Sequence, residues 1–204
     1  MRTMTGQSAQ GLPGRLRRLL LRPEHGKPPS LGPGEQEAAV LVPLFIRDGQ
    51  LSLLYLRRSE SVSRYGGQVA FPGGRVEPSD PSPVAAALRE AREEVGIEPA
   101  CVEVLGLMPA AHTSARSFAV TPVVGLVRSD VTLRLDRREV AQAFEVPFAA
   151  LTDPARRTVV RWGDGDAIRE FPAIRYRGEV IWGLTLRLTA DLLAMAGAED
   201  PKKG

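Results

Sequence analysis

The sequence predicts an α/β sandwich in which two helices pack against a mixed β-sheet. Two apolar runs, residues 38–46 and 51–56, flank the turn pair Asp48-Gly49, and this pattern is typical of a β-hairpin. Over residues 83–95, apolar side chains recur at spacings of three and four, which indicates a helix with one buried face. Later short apolar segments alternate with polar turns, as expected for further strands.

The 83–95 helix carries its own boundary signals. Ser82 is a suitable N-cap, Pro83 suits the first helical position, and Gly96 suits a left-handed C-terminal cap. The other predicted strands cover residues 68–71, 102–107, 119–126, 158–162 and 173–176, and a last helix covers residues 184–195.

The length and composition predict one folded domain. With 204 residues and 43% hydrophobic content, the chain can bury a single core. We expect an N-terminal extension over residues 1–34, which combines a short basic helix at 16–21 with a Pro/Gly-rich linker. The domain is predicted to cover residues 35–197, followed by a tail at 198–204.

The charge balance argues against two classes of partner. The excess of +3 is too small for a broad nucleic-acid-binding surface, and aromatic residues make up only 5% of the chain. No apolar run approaches the roughly 18 residues that cross a bilayer, so we expect a soluble protein that does not bind membranes. The single cysteine, Cys101, is expected to be buried and fits a reducing, cytoplasmic location. The five arginines among the first 23 residues leave a mitochondrial transit peptide as an alternative.

Three acids on the 83–95 helix are the first candidates for chemistry. Glu90, Glu93 and Glu94 fall within an arc of about 100° on the helix surface, where like charges repel. Three convergent carboxylates suit a hard divalent cation such as Mg²⁺. A solvated Glu/Arg face, with Arg89 paired to Glu93, is the alternative for the helix alone. The preceding glycine pair at 73–74 favours the cation, because it leaves backbone groups open to phosphate or metal.

Gly74 and the segment Arg89-Glu90-Ala91-Arg92-Glu93-Glu94-Val95-Gly96-Ile97 resemble the Nudix box. The second half matches that box at every defined position, and the likeness implies a Nudix-type α/β/α sandwich with a mixed sheet. Gly74 and Arg89 are one residue further apart than in the general pattern, so the early acid of the box is either Glu77 or Asp80.

Other segments resemble the coenzyme A pyrophosphatase branch of the Nudix superfamily. They are Arg58-Ser59, Arg64, Gly67, Phe71-Pro72-Gly73-Gly74, the run from Val120 to Gly125, and Ile181-Trp182-Gly183. The likeness extends over residues 38–193 and leaves both ends of the chain outside it.

This resemblance implies hydrolysis of a substituted pyrophosphate by a metal-activated water, with Mg²⁺ or Mn²⁺ as the cofactor. The implied metal ligands are Glu90, Glu93 and Glu94, together with the backbone carbonyl of Gly74. Arg89 would hold Glu93 in place. The general base is either Glu139, which precedes a predicted Val-Pro strand, or a glutamate of the box. No serine or cysteine nucleophile motif accompanies these residues, so acyl transfer is not expected.

The substrate implied by the branch is coenzyme A or an acyl derivative, which carries a 3′-phosphate besides its pyrophosphate. Arg58 and Arg64 are the candidates for that extra charge, and Gly73 and Gly74 are expected to contact the substrate. Arg57, the pair Arg137-Arg138 and His112 are expected to be surface or loop residues. Another substrate such as ADP-ribose, and a non-catalytic nucleotide-sensing domain, are alternatives. The oligomeric state stays open.

Overall fold

The computed structural model describes residues 11–23, 29–61, 66–113, 117–163 and 168–197. The predicted tail and the candidate Arg64 lie outside these ranges. In chain order the elements are α1 Leu12–Leu19, β1 Gln36–Arg47, β2 Gln50–Arg58, β3 Val69–Ala70, β4 Gly73–Arg75, α2 Pro83–Val95, β5 Val102–Leu107, β6 Ala111–His112, β7 Phe118–Val127, β8 Val140–Pro147, α3 Phe148–Leu151, β9 Arg157–Trp162, β10 Arg169–Tyr176, β11 Glu179–Trp182 and α4 Gly183–Met195. Short 3₁₀ turns at Pro99–Cys101 and Pro154–Arg156 precede β5 and β9.

The main sheet is mixed and is built around the parallel pair β1 and β7. Its strand order is β3-β2-β1-β7-β5, while β4 pairs with β1, β6 with β7, and β8 with β2. The C-terminal half of β1 pairs with β2, and its N-terminal half pairs with β4. The chain between β2 and α2 therefore returns to the sheet before the helix begins.

Both faces of the main sheet are covered, because side chains of β1 alternate between two cores. Leu41 and Phe45 pack with the α2 residues Ala87 and Ala91. Leu44, on the opposite face, belongs to the core that contains residues of α1 and α4. This arrangement is the predicted α/β sandwich, with helices on both faces of a mixed sheet.

A smaller antiparallel sheet, ordered β11-β10-β9, follows the main sheet in the chain. Its inward-facing residues Ile174, Tyr176 and Ile181 join the core beneath α4. Trp182 ends β11 and is the residue before α4. The small sheet therefore brings its last strand next to the helix that covers the main sheet.

Helix α2 begins and ends where its local signals predict. The Ser82 hydroxyl accepts a hydrogen bond from the Ala85 N–H at 3.2 Å, and Gly96 is left-handed with φ 72°. Both terminal contacts form within a few residues of the helix, so the boundaries depend little on the rest of the fold.

Other predictions needed correction. The N-terminal helix begins at Leu12 instead of Leu16, and its side chains Leu12 and Leu16 are buried as expected for a docked helix. Cys101 is half-buried instead of buried. Within the described ranges, no helix is long and apolar enough to cross a membrane. Within the described ranges, the elements that the sequence did not predict include β4, β6, β11, α3 and the two 3₁₀ turns.

Candidate active site

The glycine pair lies between the sheet and α2. Strand β4 pairs with the first half of β1, and this pairing holds Gly73 and Gly74 opposite Val40 and Ala39. Gly73 has φ 159°, and a Cβ there would lie 2.7 Å from the Val40 Cα. A Cβ at Gly74 would overlap the carboxylate of Glu90. Glycine at position 73 therefore allows the strand to approach the backbone of β1, while a side chain at position 74 would displace the Glu90 carboxylate.

Glu94 is the buried acid of the site, with 3% of its side chain exposed. Its Oε2 accepts a hydrogen bond from the Gly73 N–H at 2.9 Å, and Arg58 Nη1 lies 3.3 Å from its Oε1. Burial raises the pKa of Glu94 to about 8, although Arg58 and the Gly73 N–H favour its charged form. The negative charges of Glu90 and Glu139 raise it further. A cation at this position would relieve that cost.

Glu90 and Glu93 are both held by Arg89. Arg89 Nη1 donates to Glu90 Oε1 at 2.9 Å and to Glu93 Oε2 at 3.1 Å. Burial raises the pKa of Glu90, against the influence of Arg89, and the charges of Glu93 and Glu139 add to the effect. Glu93 is half-exposed, so the predicted contact between Arg89 and Glu93 is present at the surface end of the cluster.

The sequence left open whether Glu77 or Asp80 is the early acid of the box, and the contacts in the structure favour Asp80. Its two carboxylate oxygens accept hydrogen bonds from Arg89 Nε at 3.1 Å and Nη2 at 3.0 Å. These bonds lower the pKa of Asp80. Glu77 is exposed and contributes its backbone N–H to Asp80 Oδ2 at 2.9 Å. Asp80, and not Glu77, therefore joins the loop before α2 to the arginine of the box.

The donor chemistry fits a hard divalent cation, because glutamate and backbone oxygens are the ligands that Mg²⁺ prefers. Within the part of the chain that the structure describes, no three His, Cys, Asp or Glu residues are gathered closely enough to hold a metal between them. Glu90 and Glu94 both lie next to the glycine strand, and their negative charges repel each other. Mg²⁺ commonly uses one or two carboxylates and completes its shell with water and substrate phosphates.

Glu139 lies in the exposed turn before β8. The Ser59 N–H donates to the Glu139 carbonyl at 2.8 Å, which fixes this turn beside the end of β2. Its charge contributes to the raised pKa of both Glu90 and Glu94, so its carboxylate lies near the acids of α2. The sequence candidate for the general base therefore lies beside the box glutamates.

A cleft of about 800 Å³ opens beside the glycine strand. Arg58, Gly73 and Gly74 line one part of it, and these residues also contact the glutamates of α2. The three glutamates are not among its lining residues. The other walls are largely apolar or aromatic, and they include Val40, Phe71, Phe118, Val120, Trp182 and Leu184. The cleft thus joins a polar end, at Arg58 and the glycine pair, to a larger apolar space.

Arg75, Phe118 and Trp182 are among the cleft residues that were not predicted as site residues from the sequence. Phe118 and Arg75 form a cation–π contact at 5.6 Å, and Trp182 packs against Trp162 with ring centroids 5.3 Å apart. Trp182 belongs to the Ile181-Trp182-Gly183 motif, and this motif was the sequence feature that could have identified it as a site residue. The other two come together only because β4 and β7 lie on opposite edges of β1.

Arg57, His112 and Arg138 each contact an acidic residue other than the glutamates of α2. Arg57 Nε is 3.2 Å from Glu179 Oε1, so it has a structural partner. His112 is in strand β6 instead of a loop, and its Nδ1 lies 2.8 Å from Glu35 Oε1. Arg138 is exposed and paired with Asp136, as expected for a solvated turn.

A family model described as the NUDIX domain matches residues 35–169. The chain belongs to the Nudix hydrolase family. It is 38% identical over 181 residues to the "Uncharacterized Nudix hydrolase NudL" of Shigella flexneri serotype 5b (strain 8401), and the match covers 88% of this chain and 91% of that protein. The protein of the same name from Escherichia coli (strain K12 / DH10B) is 39% identical over 165 residues, with coverage of 80% and 84%.

The Nudix fold is also supported by a solved structure. A NUDIX hydrolase from Alicyclobacillus acidocaldarius superimposes with a TM-score of 0.51 at 18% identity, covering 83% of this chain and 93% of that one. Nudix hydrolases generally use divalent metals, in agreement with the donor chemistry of the box. The chain is therefore a Nudix hydrolase whose box lies at the edge of an open cleft.

Proposed function

We propose that this Nudix hydrolase cleaves the pyrophosphate of coenzyme A or an acyl derivative, consuming one water and releasing 3′,5′-ADP and 4′-phosphopantetheine or its acyl form. The observation that carries the proposal is the position of Arg58. It contacts Glu94 at 3.3 Å and also lines the cleft, so one guanidinium borders both the acids and the substrate space. The likeness to the coenzyme A pyrophosphatase branch supports this choice of substrate.

We propose the four predicted ligands, Glu90, Glu93, Glu94 and the Gly74 carbonyl, as the metal-binding residues; the three carboxylates are not gathered around one point in this structure, so we expect a bound cation to draw them together. A bound Mg²⁺ or Mn²⁺ would supply charge neutralisation and a water that is acidic enough to ionise near neutral pH. Arg89 holds two of these carboxylates through one nitrogen and is itself fixed by Asp80, so it acts as a positioning residue.

We propose that Gly73 and Gly74 leave room for the pyrophosphate beside α2, and that Arg58 contacts its oxygens once Glu94 binds a cation. Glu139, whose charge acts on both Glu90 and Glu94, is the proposed acceptor of the proton from the attacking water. The apolar walls of the cleft would hold the pantetheine arm or the adenosine half.

A product assay tests the proposal. The protein is incubated in Mg²⁺, and separately in Mn²⁺, with coenzyme A, acetyl-coenzyme A, ADP-ribose and NADH at equal concentration, and products are identified by mass. We expect 3′,5′-ADP from both coenzyme A forms, at a higher rate than any product from ADP-ribose or NADH. Turnover of ADP-ribose without cleavage of coenzyme A would reassign the substrate. Absence of all hydrolysis, with nucleotide binding retained, would indicate a sensing domain.

A further inference from the structure

The side chain of Arg75 lies on the wall of the cleft, one residue beyond the glycine pair. Its main chain is fixed twice, because Arg75 pairs with Ala38 in β1 and its carbonyl accepts a hydrogen bond from Arg89 Nη2 at 3.0 Å. Its guanidinium lies 5.6 Å from the centre of the Phe118 ring, and both residues line the cleft. Contact with the ring restrains a side chain that would otherwise be free to rotate.

Arg75 differs from the other arginines of the site in its lack of an acidic partner. Arg58 is 3.3 Å from Glu94, Arg57 is 3.2 Å from Glu179, and Arg89 contacts three acids. Among the residues that the structure describes, no carboxylate lies within ion-pair distance of Arg75. A charged guanidinium that lies exposed at the wall of a cleft, with no acidic partner among the described residues, is available to an anionic ligand.

We infer that Arg75 binds a second, non-reacting phosphate of the substrate, a phosphate monoester on the ribose of its nucleotide half. Arginine suits this role because its planar fork can donate two hydrogen bonds to one phosphate. Gly74 faces Glu90, and the next residue, Arg75, faces the cleft, so the pyrophosphate would lie at the glycine pair and the second phosphate on the cleft side of the same short strand. The inference rests on the proposed function. It assigns recognition of the 3′-phosphate to Arg75, whereas the sequence had suggested Arg58 and Arg64 for this role.

The test compares substrates with and without that phosphate. Catalytic efficiency is measured on coenzyme A and on dephospho-coenzyme A for the wild type, Arg75→Ala, Arg75→Lys and the control Arg128→Ala. Arg128 is an exposed arginine paired with Asp130, away from the cleft. We expect the preference for coenzyme A to fall roughly ten- to a hundredfold in Arg75→Ala, since charge-assisted contacts have that strength. Arg75→Lys should keep part of the preference, and Arg128→Ala all of it.

Binding measurements separate this inference from the proposed reaction. Calorimetric titration with 3′,5′-ADP and with 5′-AMP needs no hydrolysis. The wild type should bind 3′,5′-ADP more tightly, and Arg75→Ala should lose most of that difference while keeping its melting temperature. The inference would be overturned if Arg75→Ala kept the full difference in affinity between 3′,5′-ADP and 5′-AMP. It would also be overturned if that difference were lost in Arg58→Ala and kept in Arg75→Ala. If 3′,5′-ADP shows the expected pattern but coenzyme A is not cleaved, the proposed function fails and the role of Arg75 stands.

Discussion

The carboxylate of Glu94 illustrates how a site residue can be held in an unfavourable state. Its side chain is 3% exposed. Its carboxylate accepts one hydrogen bond from a backbone N–H and lies 3.3 Å from the guanidinium of Arg58. Burying a carboxylate costs free energy unless the charge is paired, and the raised pKa of Glu94 reports that cost. A residue that is easier to bury, such as glutamine, would be expected here if stability were the only requirement.

Glu94→Gln should therefore remove more than nine-tenths of turnover while leaving the fold intact. The substitution removes a proposed ligand charge and preserves the side-chain volume, and its carbonyl can still accept from the Gly73 N–H. Hydrolysis is measured at saturating metal, and circular dichroism monitors the fold. Glu98→Gln, at an exposed position after the helix, is the matched control. Activity above a tenth of the wild-type rate would exclude Glu94 as an essential ligand.

Glu139 provides a separate prediction because it lies outside the helix. If Glu139 accepts the proton, Glu139→Gln should lower kcat by about 10²- to 10⁴-fold and remove the acidic limb of the pH–rate profile. The measurement is kcat against pH for the wild type and the variant at saturating metal. A preserved rate with an unchanged acidic limb would return the role of base to a glutamate of the box.

At the scale of elements, the contact between Asp80 and Arg89 joins the loop before α2 to the helix itself. Asp80→Asn removes the charge from two hydrogen bonds, so we expect a loss of roughly 1.5 to 3 kcal/mol in the free energy of unfolding and reduced activity. Denaturant titration at pH 7 measures the first effect. Glu77→Gln is the control, because the Glu77 side chain is exposed. Equal effects of the two substitutions would contradict the assignment of Asp80.

The sign of the pH effect follows from the same contact. The pKa of Asp80 is lower in the folded state than in the unfolded chain, so its stabilisation is present above the ordinary aspartate pKa. That contribution is lost as the pH falls through the lowered pKa.

Local signals explain which elements were predictable. The boundaries of α2 were predicted to the residue, since Ser82, Pro83 and Gly96 act within one turn of the helix. Strand β4 was not predicted, because glycines are poor strand formers and only pairing with β1 keeps Gly73 extended. The box acids were likewise visible in sequence. The contact of Arg75 with Phe118 was not, since it joins positions from two different strands.

At the scale of the whole molecule, burial of Glu94 should make stability depend on pH when metal is removed. Its pKa of about 8 lies above the ordinary glutamate value of 4.5, so the folded protein retains a proton that the unfolded chain has released. The free energy of unfolding should therefore fall by roughly 2 to 4 kcal/mol between pH 5 and 8. Denaturant titrations in chelator measure this for the wild type and Glu94→Gln. Parallel profiles would contradict the prediction, and Mg²⁺ at pH 8 should stabilise the wild type more than the variant.

Substitutions in helix α1 can show whether the N-terminal segment is part of the folded unit. Leu16 is fully buried in the core under α4, whereas Leu19 on the same helix is 52% exposed. Leu16→Ala should lower the free energy of unfolding by about 2 to 5 kcal/mol, and Leu19→Ala by less than about 0.5 kcal/mol. Similar small losses for both variants would mean that α1 does not contribute to the core in solution.

Leu21, two residues beyond the end of this helix, bears on how separate molecules interact. Leu21 and Leu107 exchange two backbone hydrogen bonds, at 2.9 and 2.8 Å, on the outer strand β5. A bare outer strand offers unpaired N–H and C=O groups that can recruit the strands of another chain. The N-terminal segment occupies those groups at Leu107, so we expect a chain shortened past Leu21 to aggregate more readily than the full chain.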